Sequence, residues 1–159
     1  MAEGGASPAS AGFCEHAGET RGQDPLGQEI KLEKRIFYHD TDAGGIVYYG
    51  QYLCYLEEAR TEFLEKRGLS VELFKERGFF FVVRQCNVSY RSPARYGDVL
   101  LCDAKLKKIG ASQLIFDQTV HHKKEGRLII EAEVSLVCLN MDFKPTAIPD
   151  DLRVVLTRL

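Results

Sequence analysis

The chain has 159 residues, a net charge of −2 and 45% hydrophobic residues, which suits a single domain built on one core. Its 21 basic and 23 acidic residues are nearly balanced, unlike a nucleic-acid or membrane-surface protein, which carries a basic excess. The 5 cysteines are widely spaced and include no C-x-x-C pair, so neither a disulfide framework nor a zinc site is expected. No apolar run reaches the roughly 20 residues a membrane helix needs, and the N-terminus lacks a signal-peptide layout, so a cytoplasmic protein is expected.

Residues 1–28 are rich in Gly, Ala, Ser, Glu and Gln, have no hydrophobic period, and are expected to be a disordered extension before a domain spanning 29–159. A first strand is predicted from about Gln28–Leu32 through Tyr38, halted by the turn formers Asp40, Thr41, Asp42, Gly44 and Gly45. From about Gly50 the spacing becomes helical. Tyr52, Tyr55, Leu56, Ala59 and Phe63 recur every three or four residues, a polar set that includes Glu57, Glu58 and Arg60 falls between them, and Gly68 closes the helix. Ser70 caps a short helix over Val71–Arg77, which Gly78 stops.

Strands are predicted over Phe79–Tyr90, Val99–Ile109, Gln113–His122 and Leu128–Leu139, separated by turn signals at Ser92-Pro93-Ala94, Tyr96-Gly97-Asp98, Gly110-Ala111 and 123–126. Met141–Pro149 leaves the sheet, and Asp150–Leu159 reads as a short tail. Short turns imply antiparallel neighbours, so one long helix with about five strands gives an α+β layer whose sheet curls round the helix.

Chemistry concentrates at the acidic glycine turn. Asp42 is the leading catalytic candidate, because it lies just ahead of a helix start, where backbone N–H groups and a partial positive charge can meet a developing oxyanion. Asp40 shares its spacing, and in an extended stretch the two would lie on one side. Asp40, Asp42 and Gly45 also imitate part of a calcium loop, but Gly44 and Gln51 fall where ligands are required. Gly44-Gly45 without a G-K-[ST] is no phosphate loop; it lets the backbone approach something closely. No G-x-S-x-G elbow exists. His39 adjoins the turn without a visible partner, and the adjacent His121 and His122 point to opposite faces and cannot share a metal. Arg84 stands out among the basic residues, since it interrupts the apolar face of Val82, Cys86 and Val88.

The run R-I-F-Y-H-D-T-D-A-G-G-I-V-Y-Y-G-Q-Y, with the later E-E-A-R-T-E-F-L, F-V-V-R, S-P-A-R-Y-G-D and E-A-E-V-S-L-V-C, resembles the 4-hydroxybenzoyl-CoA thioesterase family of hotdog-fold proteins over roughly residues 30–152. It is most similar to the branch of Tol-Pal-associated acyl-CoA thioesterases. The resemblance implies a hotdog fold, with about five antiparallel strands wrapped around one long central helix, and an acyl-CoA thioesterase that needs no cofactor or metal. It also implies a homodimer or homotetramer with sites at the dimer interface, acting on acyl-CoA, with acyl carrier protein as an alternative carrier. Asp42 matches the Asp of the family's T-D-x-x-G motif, hence the base or nucleophile. Tyr49 matches the helix-start position whose backbone N–H holds the thioester oxygen. His39, Gly45, Tyr48 and Arg84 are the expected substrate-binding positions. At Tyr49 the Tol-Pal branch carries His, whereas Tyr is similar to the aromatic-substrate branch, so short aliphatic and aromatic acyl groups both stay open. The competing readings are a non-catalytic hotdog module that binds acyl carriers or an envelope-associated partner, and a hydratase, which would want a histidine on the helix.

Overall fold

A computed structural model describes residues 31–157, so the readings on 1–28, Cys14 and His16 lie outside the described residues. Five strands, β1 (Lys31–Arg35), β2 (Phe79–Tyr90), β3 (Val99–Ile109), β4 (Gln113–His122) and β5 (Leu128–Asn140), form one antiparallel sheet in the order β1-β3-β4-β5-β2. Three helices accompany them: α1 (Gln51–Glu65), α2 (Val71–Glu76) and α3 (Asp150–Thr157).

The sheet's apolar face follows the alternation of the sequence. Leu100, Cys102, Ala104 and Leu106 on β3, with Leu114, Phe116 and Val120 on β4, are buried, and their neighbours face out. Helix α1 sets Tyr52, Tyr55, Leu56, Ala59 and Phe63 into the same core, Phe63 meeting Phe116 edge-on at 5.4 Å between ring centroids. On the outer face Lys107 pairs with Asp117 at 3.2 Å and Glu133 at 2.7 Å, the solvated arrangement expected there. The helix ends where glycine was expected: Gly68 takes φ +73, and the Leu69 N–H folds back onto the Leu64 carbonyl.

Four local expectations are corrected. The first strand stops at Arg35, because Tyr38–Asp40 winds into a 3-10 turn closed by the Asp40 side chain. The C-terminal tail is helical over Asp150–Thr157, where Leu152 and Leu156, one turn apart, reach the core and Arg77 holds Asp151 through two hydrogen bonds of 2.7 and 2.9 Å. Arg60 is buried rather than outward, at 7% exposure. Arg84 is exposed and sits at a register shift in β2: Val83 pairs with Leu136 and Gln85 with Ser135, so Arg84 is skipped and leaves the apolar face assigned to it.

Candidate active site

The segment from Tyr38 to Gln51 is held in shape by its own backbone. The Tyr48 N–H donates to the Asp40 carbonyl at 2.9 Å, Asp42 N–H to Ile46 at 3.0 Å, and Val47 N–H reaches across to Ala94 at 2.8 Å. Between these anchors Gly45 adopts φ +73, a conformation that a side chain would strain, and donates its N–H to the Asp42 carbonyl at 3.0 Å. The close approach expected of Gly44 is real and internal: its N–H donates to Asp42 Oδ1 at 2.8 Å, and a Cβ at Gly44 would lie 3.0 Å from that oxygen.

The two aspartates part here. Asp40 is 1% exposed, and its Oδ2 accepts the Phe37 N–H at 2.8 Å, so it is a structural carboxylate inside the 3-10 turn. The Tyr55 hydroxyl is buried beside it; burial first, and then the Asp40 charge, push that tyrosine's pKa up. Asp42 is exposed and lines an open cleft of about 500 Å³. Ile46, Val47 and Tyr49 share the near wall with it, Tyr52 rises from α1, and Tyr90 with residues 91–93 makes the far wall.

That far wall is braced from behind. Arg127 Nη1 donates to Ser92 Oγ at 2.9 Å and to the Pro93 carbonyl at 2.6 Å, and Ser92 Oγ donates to the Leu128 carbonyl at 2.6 Å. Tyr52 is buried at the cleft's base, and that burial pushes its pKa up to about 12, so its hydroxyl stays protonated at neutral pH.

At the entrance to α1 the Gln51 N–H is taken by the Tyr48 carbonyl at 2.9 Å, whereas the N–H groups of Tyr49 and Gly50 have no protein acceptor among the described residues. Asp42 and Tyr49 therefore line one cavity at the start of a 15-residue helix, where the Tyr49 and Gly50 N–H groups are left without a protein acceptor among the described residues.

Of the other expected positions, Tyr48 stands at the rim, its ring 4.6 Å from that of Tyr49, and the neighbouring Tyr49 hydroxyl pushes its pKa up. His39 projects into solvent, parallel to Phe37 at 5.9 Å, with Nε2 3.4 Å from Asp40 Oδ1. Gly45 shapes the turn and does not line the cleft, and Arg84 lies on β2 outside the lining. Sequence reasoning missed Ile46, Val47, Tyr52, Tyr90, Ser92 and Pro93 as wall residues. The signal available was the S-P-A-R-Y-G-D segment, which reads as a turn until β2 delivers it opposite the acidic loop.

A family profile described as the Thioesterase-like superfamily matches residues 38–156. The acyl-CoA thioester hydrolase YbgC of Escherichia coli is 37% identical over 119 residues, covering 74% of this chain and 88% of that protein. Among solved structures, the probable thioesterase YbaW of Escherichia coli superposes with a TM-score of 0.71 at 27% identity, covering 80% of this chain and 96% of the other. A 1,4-dihydroxy-2-naphthoyl-CoA thioesterase from Synechocystis superposes with a TM-score of 0.76 at 22% identity, covering 83% and 98%. The latter likeness is one of fold.

Proposed function

This chain belongs to the thioesterase-like superfamily, and from that premise we propose how its cleft works as an acyl-CoA thioester hydrolase. The observation that carries the reading is that Asp42 and Tyr49, whose N–H has no protein acceptor among the described residues, line one cavity at the start of α1. As the thioester carbonyl becomes tetrahedral its oxygen gains negative charge, and a pre-aimed amide at a helix start stabilises that charge; losing one such donor costs about 3–4 kcal/mol in comparable sites. Asp42 supplies the second half in one of two balanced ways. As a base it takes a proton from water as the water oxygen bonds to the carbonyl carbon, the C–S bond breaks, and the thiolate of coenzyme A leaves with the proton. As a nucleophile it bonds to that carbon, expels the same thiolate, and leaves an anhydride that water then opens. Both routes end in free acid and coenzyme A.

The same reading extends to assembly and setting. Residues 29–159 act as one catalytic domain in the cytoplasm, where acyl-CoA is the substrate and acyl carrier protein a further carrier. Among the described residues no helix is long and apolar enough to cross a membrane. The edge strand β2 pairs with β5 on one side and is open on the other, which supports a homodimer joined along β2, and dimers pairing into a tetramer. In the dimer, Tyr48 at the rim, the Gly45 turn, His39 and Arg84 contact the substrate's carrier portion.

The test is hydrolysis of a panel of short aliphatic and aromatic acyl-CoA esters, followed by detection of free thiol. Asp42→Asn is expected to lower kcat by two orders of magnitude or more with the fold intact. Full activity in that variant would remove Asp42 from the chemistry. Tight acyl-CoA binding without turnover by the unaltered protein would instead favour a binding module.

A further inference from the structure

The Tyr90 hydroxyl, at the end of β2, donates to the Tyr49 carbonyl at 3.1 Å. That carbonyl belongs to the peptide linking Tyr49 to Gly50, whose N–H is Gly50's. The peptide before it is held in the same way, its Tyr48 carbonyl accepting the Gln51 N–H at 2.9 Å. Two consecutive peptides are thus anchored through oxygen and open at nitrogen, since neither Tyr49 N–H nor Gly50 N–H has a protein acceptor among the described residues. A hydrogen bond accepted at the carbonyl end of a peptide fixes its plane and polarises the N–H at the other end.

We propose that Tyr90 is a positioning residue for the oxyanion donor: its hydroxyl pins the Tyr49 carbonyl while the Gln51 N–H pins the Tyr48 carbonyl, so both peptides flanking the Tyr49 Cα are fixed and the Tyr49 amide is held toward the thioester carbonyl oxygen. The inference rests on the hydrolytic reading of the cleft. To that reading it adds the group that, with the Gln51 amide, aims the donor.

The hydroxyl's direction is set by packing. The Tyr90 ring meets Tyr49 edge-on at 6.4 Å and 86°, and meets Tyr52 at 5.9 Å and 60°, while its backbone pairs with Ile130 on β5. Burial first, then Cys86 and Tyr49, push its pKa up, which keeps the donor protonated at neutral pH. Gly50 has ordinary helical dihedrals, φ −68 and ψ −24, so its backbone does not require glycine. A Cβ there would stand 2.7 Å from the Tyr48 ring, so glycine lets that ring pack against the helix entrance.

Tyr90→Phe keeps the ring and removes the donor. In steady-state hydrolysis the variant is expected to lose about fivefold to tenfold in kcat, the usual size of one neutral hydrogen bond, with KM within about twofold and an unchanged thermal midpoint. A trifluoromethyl ketone analogue of the acyl-CoA, whose carbonyl carbon adds water deprotonated by Asp42, or the Asp42 carboxylate itself, to give a tetrahedral oxyanion, should lose affinity by the same factor. A thioether analogue of equal length, which carries no oxyanion, should bind both proteins alike. An unchanged kcat and unchanged ketone affinity would overturn the inference while leaving hydrolysis by the unaltered protein in place. A raised KM with kcat held would also overturn it, by making Tyr90 a binding surface. If the unaltered protein hydrolyses no thioester in the panel, the reading of the cleft falls and the inference falls with it.

Discussion

Asp40 and Asp42 stand two positions apart, and a 3-10 turn decides what each does. In an extended chain they would share a side, which is why spacing alone left both open. The turn at Tyr38–Asp40 rotates Asp40 inward to cap the Phe37 amide and leaves Asp42 on the cleft. Arg60 shows a parallel effect. Hydropathy counts it as polar, yet it follows Tyr52 and Leu56 at intervals of four on the buried stripe of α1. It faces Gln118, which occupies an inward position of β4 between Phe116 and Val120. Arg60 Nη1 donates to Gln118 Oε1 at 2.8 Å, and Gln118 Nε2 donates to the Leu56 carbonyl at 2.9 Å, so helix and sheet are stitched through one amide. Burial lowers the Arg60 pKa, but a guanidinium starts high enough to stay charged. Removing one member alone strands buried polar atoms. Arg60→Met is therefore expected to cost about 2–4 kcal/mol in urea denaturation, and Arg60→Met with Gln118→Leu to cost less than the sum of the two single changes. Strict additivity would show that the contact contributes nothing.

Among the elements, β2 carries the most unfinished surface. It runs from Phe79 to Tyr90 with β5 on one side only, and Val83 is 52% exposed although β-branched and apolar. A long edge strand with open N–H and C=O groups invites another strand, and no strand among the described residues pairs with it on that side. The bulge at Arg84 turns that side chain out of the sheet's alternation, which explains why the sequence pattern placed it on the wrong face. If a second copy pairs along β2, Val83→Lys should shift the protein to monomer in sedimentation velocity, and activity should fall with it, because the Tyr90 end of the strand borders the cleft. A monomeric variant with full activity would separate assembly from catalysis.

At the scale of the molecule, what could be read in advance was whatever local periodicity encodes. The four long strands, the capped α2 and the glycine-terminated α1 all follow from alternation, helical spacing and turn chemistry. The early end of β1 turned on a local side-chain cap that alternation does not reveal, Asp40 on the Phe37 amide, and the helical tail on tertiary partners, Arg77 and the core. For the site, the near wall was legible because Asp42 and Tyr49 lie within one segment. The far wall was not, since Tyr90 to Pro93 meet that loop only after β2 has crossed the sheet and Arg127 has braced the turn.

The most direct measurement of the central claim is a crystal structure of Asp42→Asn bound to an intact acyl-CoA. The thioester oxygen is predicted to lie about 3 Å from the Tyr49 amide nitrogen, with the residue 42 side chain beside the carbonyl carbon. A thioester bound away from the start of α1, or with its oxygen turned from that amide, would contradict the account.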